Sequence, residues 1–497
     1  MTEAIEQIQA TASLVVPEII LLATVCAMFL LGPLLVNDRG EAPAGLRHQW
    51  GLLSLAALAV AWGIWFSGGH DFSQGALFRA NELLWYTRGL TFTAGMLLAL
   101  VLWNQIDDGH SAEAQACLLA ILAGTSLVAA ADDLVSLFLA LELVSIPTYV
   151  ILYLPRRDHL AREAALKYFL LSVFSSALVL YGMSWLYGVA GSTSLSSIAA
   201  AIQETSPEAA SRMPQIALAF LVAGLSFRIA AVPFHFYAPD VFQGTTAANA
   251  ALLSFVPKVV GFVALLQLVP LTGAAESFTA WLPNESTKLL FAVLAVVTMF
   301  VGNLMALRQS NLFRLMAYSS IAHAGYMLIG LAVGDTVPVS GVDAILFYLA
   351  VYGLMTIGVF ALLSAVGGAD RPLRTDGDIR GLNRSHPWVA LLLAICLLSL
   401  TGLPPTAGFF GKLNLFLAAW SDGTDIGRAL AIVMALNAAI GAWYYLRLIS
   451  LMFLEPAAEE DLRARPVAWS GWLAGAACAG GTVLLFIAPQ WLWNSLP

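Results

Sequence analysis

Residues 399–413 read SLTGLPPTAGFFGKL and interrupt an apolar run that extends from about residue 388 to 419. Pro404 and Pro405 lack the backbone N–H groups that a continuous helix needs, so we expect a helix that breaks at membrane depth. Irregular backbone is tolerated there only where protein or a water-filled cavity meets its polar groups. Lys412 follows this break directly. The segment therefore predicts a buried cation beside an interrupted membrane helix.

The composition predicts a single transmembrane domain over residues 1–497, because 60% of the residues are hydrophobic and only 11% are charged. Soluble domains carry about 25% charged residues, and a membrane-crossing helix needs about 20 mostly apolar residues. Apolar runs of that length recur along the chain, so we predict an all-α polytopic membrane protein. The fourteen predicted spans are 17–36, 49–68, 88–106, 113–131, 133–154, 164–190, 214–233, 246–271, 287–306, 311–333, 341–366, 388–419, 427–454 and 468–494. The first run lacks a basic leader and a small-residue cleavage site, which favours a retained span.

A second break is predicted at VPFHFYAPD, residues 232–240, which follows Arg228 and contains two further prolines. His235 within it is interpreted as a structural residue of the break. Interrupted segments near 228–246 and 402–412 thus occur in the two halves of the chain. Paired broken helices are typical of an internal repeat with an ion site at its interface.

The arginines of the short loops predict the orientation of the chain, since cytoplasmic loops carry an excess of Lys and Arg. One alternate set of loops contains thirteen arginines: Arg39, Arg47, Arg156, Arg157, Arg162, Arg308, Arg314, Arg371, Arg374, Arg380, Arg384, Arg463 and Arg465. The opposite set contains four: Arg79, Arg88, Arg212 and Arg428. We therefore expect the first set to face the cytoplasm and both termini to lie on the outer side.

Three of the four lysines, Lys167, Lys258 and Lys412, lie inside apolar segments, and Lys288 lies near a segment edge. Glu142 is also well inside its span. Intramembrane ionisable residues mark proton or ion pathways by default. Burial favours the neutral amine of a lysine, whereas a nearby carboxylate favours the ammonium. A lysine balanced between these effects can exchange protons, although Lys167 can equally extend its amine to the interface.

Arg228 and His323 complete the set of candidate proton-path residues. Arginine effectively never deprotonates in proteins, so Arg228 is interpreted as a fixed charge that pairs with Glu142. His323 lies among serines and tyrosines in AYSSIAHAGYML, a pattern that fits either a water wire or a hydrogen-bonded helix contact. The aromatic run 443–445 is interpreted as an interface or packing feature.

Several classes of function are disfavoured by what the sequence lacks. The four cysteines have no CxxC spacing and are expected to be small core residues, so zinc and iron–sulfur ligation are not predicted. There is no Gly-rich phosphate loop, and the net charge of −8 disfavours nucleic-acid binding. We therefore expect no cofactor and no metal in this chain.

Five long segments closely resemble subunit N of the proton-pumping NADH–quinone oxidoreductase, respiratory complex I, whose counterparts elsewhere are called subunit 2. They are LALELVSIPTYVILYL, AALKYFLLSVFSSALVLYGMSWLYG, FHFYAPDVFQG, GNLMALRQSNLFRLMAYSSIAHAGYMLIGLA and SLTGLPPTAGFFGKL. The resemblance runs from about residue 90 to 455. It implies an antiporter-like fold with N-terminal helices in 1–110, two inverted five-helix repeats in 111–271 and 287–454, and a C-terminal helix in 468–494.

The resemblance also implies roles for the six candidate residues. Glu142 matches the key glutamate of the fifth helix and Lys167 the sixth-helix lysine. Lys258 matches the central lysine of the eighth helix, and Lys412 the lysine of the broken twelfth. His323 matches the histidine between the inner lysines.

One residue departs from the family pattern. The family usually has lysine where this chain has Arg228. If that lysine must release its proton, this chain cannot perform the step in the same way.

The expected function is proton translocation in the membrane arm of a bacterial inner-membrane NADH–quinone oxidoreductase. NADH, FMN, iron–sulfur clusters and quinone are then expected in partner subunits of the membrane and peripheral arms, with the lipid bilayer and protons as the other partners. Two alternatives stay open: a cation/proton antiporter subunit, and a structural scaffold that spaces other membrane subunits.

Overall fold

The computed structural model describes residues 11–36, 42–68, 78–154, 158–204, 212–272, 274–275, 281–367, 372–456 and 466–497. Six of the arginines used to predict the orientation lie outside the described residues: Arg39, Arg156, Arg157, Arg371, Arg463 and Arg465.

The described residues form twelve helices that are long and apolar enough to cross a membrane, and two broken helices bring the number of candidate crossings to fourteen. The first six crossings are α1 (Val16–Leu31), α2 (Leu46–Ser67), α3 (Glu82–Leu102), α4 (Ser111–Ala130), α5 (Leu134–Tyr153) and α6 (His159–Ala190). The next four are the broken pair α7a (Arg212–Ile229) and α7b (Ala238–Gly244), then α8 (Ala247–Leu268), α9 (Glu285–Ala306) and α10 (Leu312–Val333). The last four are α11 (Gly341–Gly367), the broken pair α12a (Pro387–Thr401) and α12b (Ala407–Ser421), α13 (Asp425–Leu454) and α14 (Trp469–Ile487). This arrangement confirms the predicted fold class.

Short elements connect these helices. They are the helices Leu195–Glu204, Leu382–Ser385 and Gln490–Trp493, the 3-10 turns Pro33–Leu35, Asp108–His110, Pro270–Thr272 and Asp376–Ile379, and two antiparallel two-residue strands, β1 (Ala274–Ala275) and β2 (Trp281–Leu282).

Polar capping residues mark the starts of several helices. The side chains of Asn81, Asp133, Thr246 and Asn311 each accept a hydrogen bond from a backbone N–H in the first turn of the following helix. Such a cap satisfies one of the donors that a helix leaves unpaired at its start. The helices α8, α10 and α11 are then almost wholly buried by their neighbours and form the centre of the bundle.

The break of α12 depends on two glycines. Gly402 has a φ of 86°, a left-handed conformation that ends α12a. Gly408 packs so closely that a Cβ atom there would lie 1.8 Å from the carbonyl oxygen of Ser399. In α7 the corresponding turn follows Ile229, and Ala230 has a φ of 57°. Both predicted interruptions are therefore present, between residues 229 and 238 and between residues 401 and 407.

Contacts between loops show which helix ends lie on the same face of the bundle. On one face Arg47 lies 3.9 Å from Asp108, and the Arg374 guanidinium donates to the carbonyl oxygen of Gln243 at 2.5 Å. On the other face Arg79 lies 3.5 Å from Asp132. Each contact joins two loops that are separated along the chain by an even number of crossings. Such loops lie on the same face, so the contacts agree with the crossings assigned above.

Two expectations from the sequence are wrong in detail. Arg88 is not a loop residue, because α3 begins at Glu82 and includes Arg88 in its second turn. Cys26 is exposed rather than a core residue, whereas the other three cysteines are buried.

Candidate functional site

The central lysine, Lys258, lies in the interior of the bundle. It occupies the middle of α8, and only 2% of its surface is exposed. Its Nζ donates to the Ser320 hydroxyl at 2.5 Å and lies 5.5 Å from the centroid of the Tyr352 ring. Both partners are neutral, so Lys258 can exist here as an ammonium or as an amine without breaking an ion pair.

An imidazole between two tyrosine hydroxyls continues this polar row. His323 Nδ1 lies 2.6 Å from the Tyr348 hydroxyl, and Nε2 lies 3.0 Å from the Tyr445 hydroxyl. The Tyr445 hydroxyl also bonds to Ser319, which is adjacent to the serine that contacts Lys258. Hydroxyl and imidazole groups both donate and accept hydrogen bonds, so Ser319, Tyr445, His323 and Tyr348 form one continuous hydrogen-bonded chain.

The break of α12 provides the partners of Lys412. Its Nζ donates to the carbonyl oxygens of Leu400 at 2.9 Å and Thr401 at 2.8 Å, which end α12a. The last carbonyls of a helix have no intrahelical donor, so the interruption creates acceptors for the ammonium. The Tyr326 ring centroid lies 5.3 Å from the same Nζ. The cation predicted beside an interrupted helix is thus held by that interruption.

A buried amide network lies beyond Tyr326. Asn303 Nδ2 donates to the Tyr326 hydroxyl and to Asn437 Oδ1, both at 3.1 Å, and its Oδ1 accepts from the Tyr444 hydroxyl at 3.0 Å. Asn303 and Asn437 were not identified from the sequence, and Tyr444 and Tyr445 were interpreted there as interface or packing residues. Polar residues in helices were visible there, but residues from different helices meet only after the bundle packs.

The first half of the chain contains an ion pair between Glu142 and Arg228. Glu142 Oε1 accepts a hydrogen bond from the Ser176 hydroxyl at 2.5 Å and lies 3.6 Å from Arg228 Nη2. The Arg228 side chain is buried, and its Nε has no hydrogen-bond partner within the described parts of the chain. The predicted pairing of Arg228 with Glu142 is confirmed, and the guanidinium is incompletely satisfied.

Lys167 is placed away from this interior row. Its Nζ lies 2.7 Å from a carboxylate oxygen of Glu163 and 2.6 Å from one of Asp240, and its side chain is 39% exposed. The second oxygen of Asp240 accepts from Arg314 at 2.6 Å. Lys167 therefore belongs to a partly exposed ion cluster on the arginine-rich face.

Two buried ion pairs were missed by sequence reasoning. Glu18 pairs with Arg88 through hydrogen bonds of 2.7 and 2.8 Å and also accepts from Ser126. Lys288 pairs with Asp422 at 2.6 Å. Each residue lies near the end of a predicted span, where a charge is ordinary, so the sequence contained no signal that the side chains are buried.

Fourteen candidate crossings, two broken helices and a buried row of lysine, histidine and tyrosine side chains define an antiporter-like membrane protein. The family model described as NADH:quinone oxidoreductase/Mrp antiporter, TM, matches residues 131–437. A relative named NADH-quinone oxidoreductase subunit N 1, from Solibacter usitatus, is 36% identical over 96% of this chain and 94% of its own. The chain therefore belongs to the NADH-quinone oxidoreductase subunit N family.

Solved structures share this fold. A chain of respiratory complex I from Thermus thermophilus matches with a TM-score of 0.78 at 29% identity, over 96% of this chain and 98% of that one. A chain of the Mrp complex from a Dietzia species matches with a TM-score of 0.77 at 20% identity, over 96% of each chain. The second likeness shows the fold alone.

Proposed function

We propose that this chain is a proton-translocating subunit of a membrane-bound NADH–quinone oxidoreductase. The observation that carries the proposal is the row of groups from Lys258 through the hydroxyls around His323 to Lys412. The ring of Tyr348, a partner of His323, packs against Gly411, where a Cβ atom would lie 2.5 Å from it. Helix α12b, which carries Lys412, thus contacts Tyr348, the hydrogen-bond partner of His323.

In this mechanism the ion pair of Arg228 with Glu142, in the first half of the chain, controls the proton affinity of Lys258. A unit charge displaced to about 4 Å from another at an effective dielectric constant near 20 changes the energy by about 4 kcal/mol. Arg228 lies against α8, because a Cβ atom at Gly261 would lie 3.4 Å from the Arg228 Cβ, so a shift of Arg228 relative to Glu142 changes the electrostatic field along the helix that carries Lys258. The proton then passes along the hydroxyls and His323 to Lys412. Lys167 stays outside the interior row and acts on it through charge at the arginine-rich face.

The setting of the subunit follows from its relatives. The Solibacter protein is named as a subunit of NADH-quinone oxidoreductase and the Thermus structure is a respiratory complex I, so we infer the same assembly here. NADH, FMN, iron–sulfur clusters and quinone then bind to partner subunits, and this chain performs no redox step. We place it in the bacterial inner membrane, with the arginine-rich face in the cytoplasm and both termini outside.

The inverted repeats are assigned to residues 111–271 and 287–454. Similar packing at the start of each supports this assignment. A Cβ at Gly124 of α4 would meet Val144 of α5 at 2.9 Å, and one at Gly302 of α9 would meet the backbone of α10 at 2.5 Å. Each of the two units then ends beyond one broken helix.

Replacement of Lys258 by alanine tests the function. We expect at least a tenfold loss of the proton flux that passes through this subunit, because the row then has no titratable group at its start. Protons moved per NADH oxidised would be measured in vesicles that hold the intact complex, together with electron transfer and assembly. Gln267→Leu is the matched control, since Gln267 is a buried polar residue of α8 that bonds only to the carbonyl oxygen of Ala129 among the described residues. An unchanged ratio in Lys258→Ala vesicles rejects the function.

The Arg228→Lys variant tests the departure from the family pattern. A lysine here can release its proton, whereas arginine cannot. We expect the protons moved per NADH to rise or the pH range of pumping to widen, with electron transfer unchanged. Arg380→Lys, in an exposed ion pair with Glu455 on the arginine-rich face, controls for the loss of a guanidinium. Pumping identical to the native chain at every pH would show that Arg228 acts only as a fixed charge.

The two alternatives make different predictions. A cation/proton antiporter subunit shares the fold, but the sequence relationship favours subunit N, and co-purification with iron–sulfur subunits distinguishes them. A pure scaffold predicts that Glu142→Gln leaves the stoichiometry of pumping unchanged.

A further inference from the structure

The ion pair between Lys288 and Asp422 is buried and lies outside the proton row described above. Lys288 Nζ donates to both carboxylate oxygens of Asp422, at 2.7 and 2.6 Å. The two side chains are only 7% and 9% exposed. Removing two charges from water is unfavourable, and apolar residues of similar volume often serve stability better. Stability alone therefore does not explain why a buried ion pair is present at this position.

Helix α12b connects this pair to the row. Lys412 lies near the start of α12b and Asp422 caps its end, ten residues later. At 1.5 Å and 100° per residue, the two side chains are about 15 Å apart along the axis and within about 80° of each other around it. The pair is therefore located on the side of the helix that carries Lys412, toward the face where both termini lie.

The helix surface between the two sites is apolar. Leu415, Ala418 and Ala419 are fully buried, and Leu415 and Ala419 lie on the arc between Lys412 and Asp422. A dry layer blocks proton leakage, and such hydrophobic constrictions gate by wetting and drying. A pump needs such a barrier between its inner proton site and the group that releases the proton.

Exposed carboxylates occur around the buried pair. Glu285 lies three residues before Lys288 on α9, and Asp425 lies three residues after Asp422 at the start of α13. The loop between α10 and α11 also reaches α12b, since Thr336 Oγ1 lies 3.4 Å from the carbonyl oxygen of Ala418. Asp335 is adjacent to Thr336 and exposed. These groups offer proton acceptors between the pair and water.

We propose that Lys288 and Asp422 form the last proton-exchanging station of the path, a step that rests on the proposed function. When the dry layer hydrates, the Lys412 ammonium gives a proton to the Asp422 carboxylate, which becomes neutral. Lys288 then loses its counter-charge and releases a proton to the exposed carboxylates and water. The proton on Asp422 moves to the Lys288 amine, which restores the ion pair. One proton leaves for each proton received.

The Lys288→Arg variant separates a proton station from a structural anchor. Arginine keeps the positive charge and can pair with Asp422, but it does not release a proton. We expect the protons moved per NADH to fall to the level of Lys258→Ala, with assembly and electron transfer retained. Arg79→Lys is the control, because it exchanges the same two side chains in an ion pair on the same face. Native pumping by Lys288→Arg overturns the proposal.

A second variant tests the proposal if Lys288→Arg does not assemble into the complex. The double variant Lys288→Gln with Asp422→Asn keeps polar partners of similar size but cannot titrate. Lost pumping in an assembled complex supports the station, and native pumping overturns it. The Lys258→Ala vesicles are assayed in parallel: if they pump normally, the proposed function itself fails, and if only the pair's variants pump normally, only the station fails.

Discussion

Replacement of Lys412 by alanine is expected to reduce proton flux through this subunit tenfold or more while NADH-to-quinone electron transfer continues. The reason is the position of its ammonium, which is held by the carbonyl oxygens of Leu400 and Thr401 at the break of α12. Alanine leaves these carbonyls without a donor and removes the proton-holding group beyond His323. The measurement is the number of protons moved per NADH in vesicles that contain the intact complex.

Lys412→Arg sharpens this prediction. A guanidinium keeps the charge and the hydrogen bonds to the two carbonyls, but it holds its proton. We expect Lys412→Arg to assemble like the native chain and to pump as poorly as the alanine variant. If Lys412→Arg pumps normally, Lys412 contributes a charge and not a transferable proton.

Substitution of Gly408 by valine is expected to prevent stable assembly of the subunit. A Cβ atom would lie 1.8 Å from the carbonyl oxygen of Ser399, and this oxygen belongs to the backbone of α12a. The two halves of α12 would have to separate, at a cost of at least about 3 kcal/mol, the upper part of the usual range for overpacking. The amount of assembled complex and its midpoint of thermal unfolding would be measured.

Gly480→Val is the matched control, because a Cβ at Gly480 on α14 meets no other atom within 4 Å. We expect this variant to assemble normally. Normal assembly of Gly408→Val would contradict the close packing at the break, since no flexible side chain is available to move aside.

The fold follows from features that neighbouring residues in the sequence share. Apolar runs of membrane length, prolines at 233 and 404–405, and alternating loop charge are local patterns, so the fourteen crossings and both breaks could be predicted. The limits were less accurate where polar residues begin a helix: α3 starts at Glu82 rather than at residue 88. A polar cap and first turn outside the hydrocarbon core have no apolar signature.

The candidate site was predicted only in part. Lys258, Lys412 and His323 were identified because an ionisable residue within an apolar run is conspicuous by itself. Tyr445 was interpreted as packing, although its hydroxyl bonds to His323. Lys288 was set aside as an edge residue, although its side chain is only 7% exposed.

The chain by itself thus determined the number of membrane-length helices and the position of the breaks, because each depends on consecutive residues and their preference for water or lipid. The tertiary structure alone decided which groups touch: Lys258 with Ser320, and Lys288 with Asp422 across 134 residues. Hydrogen bonds and ion pairs form over about 3 Å, so they depend on how distant helices pack, and no local pattern encodes that distance.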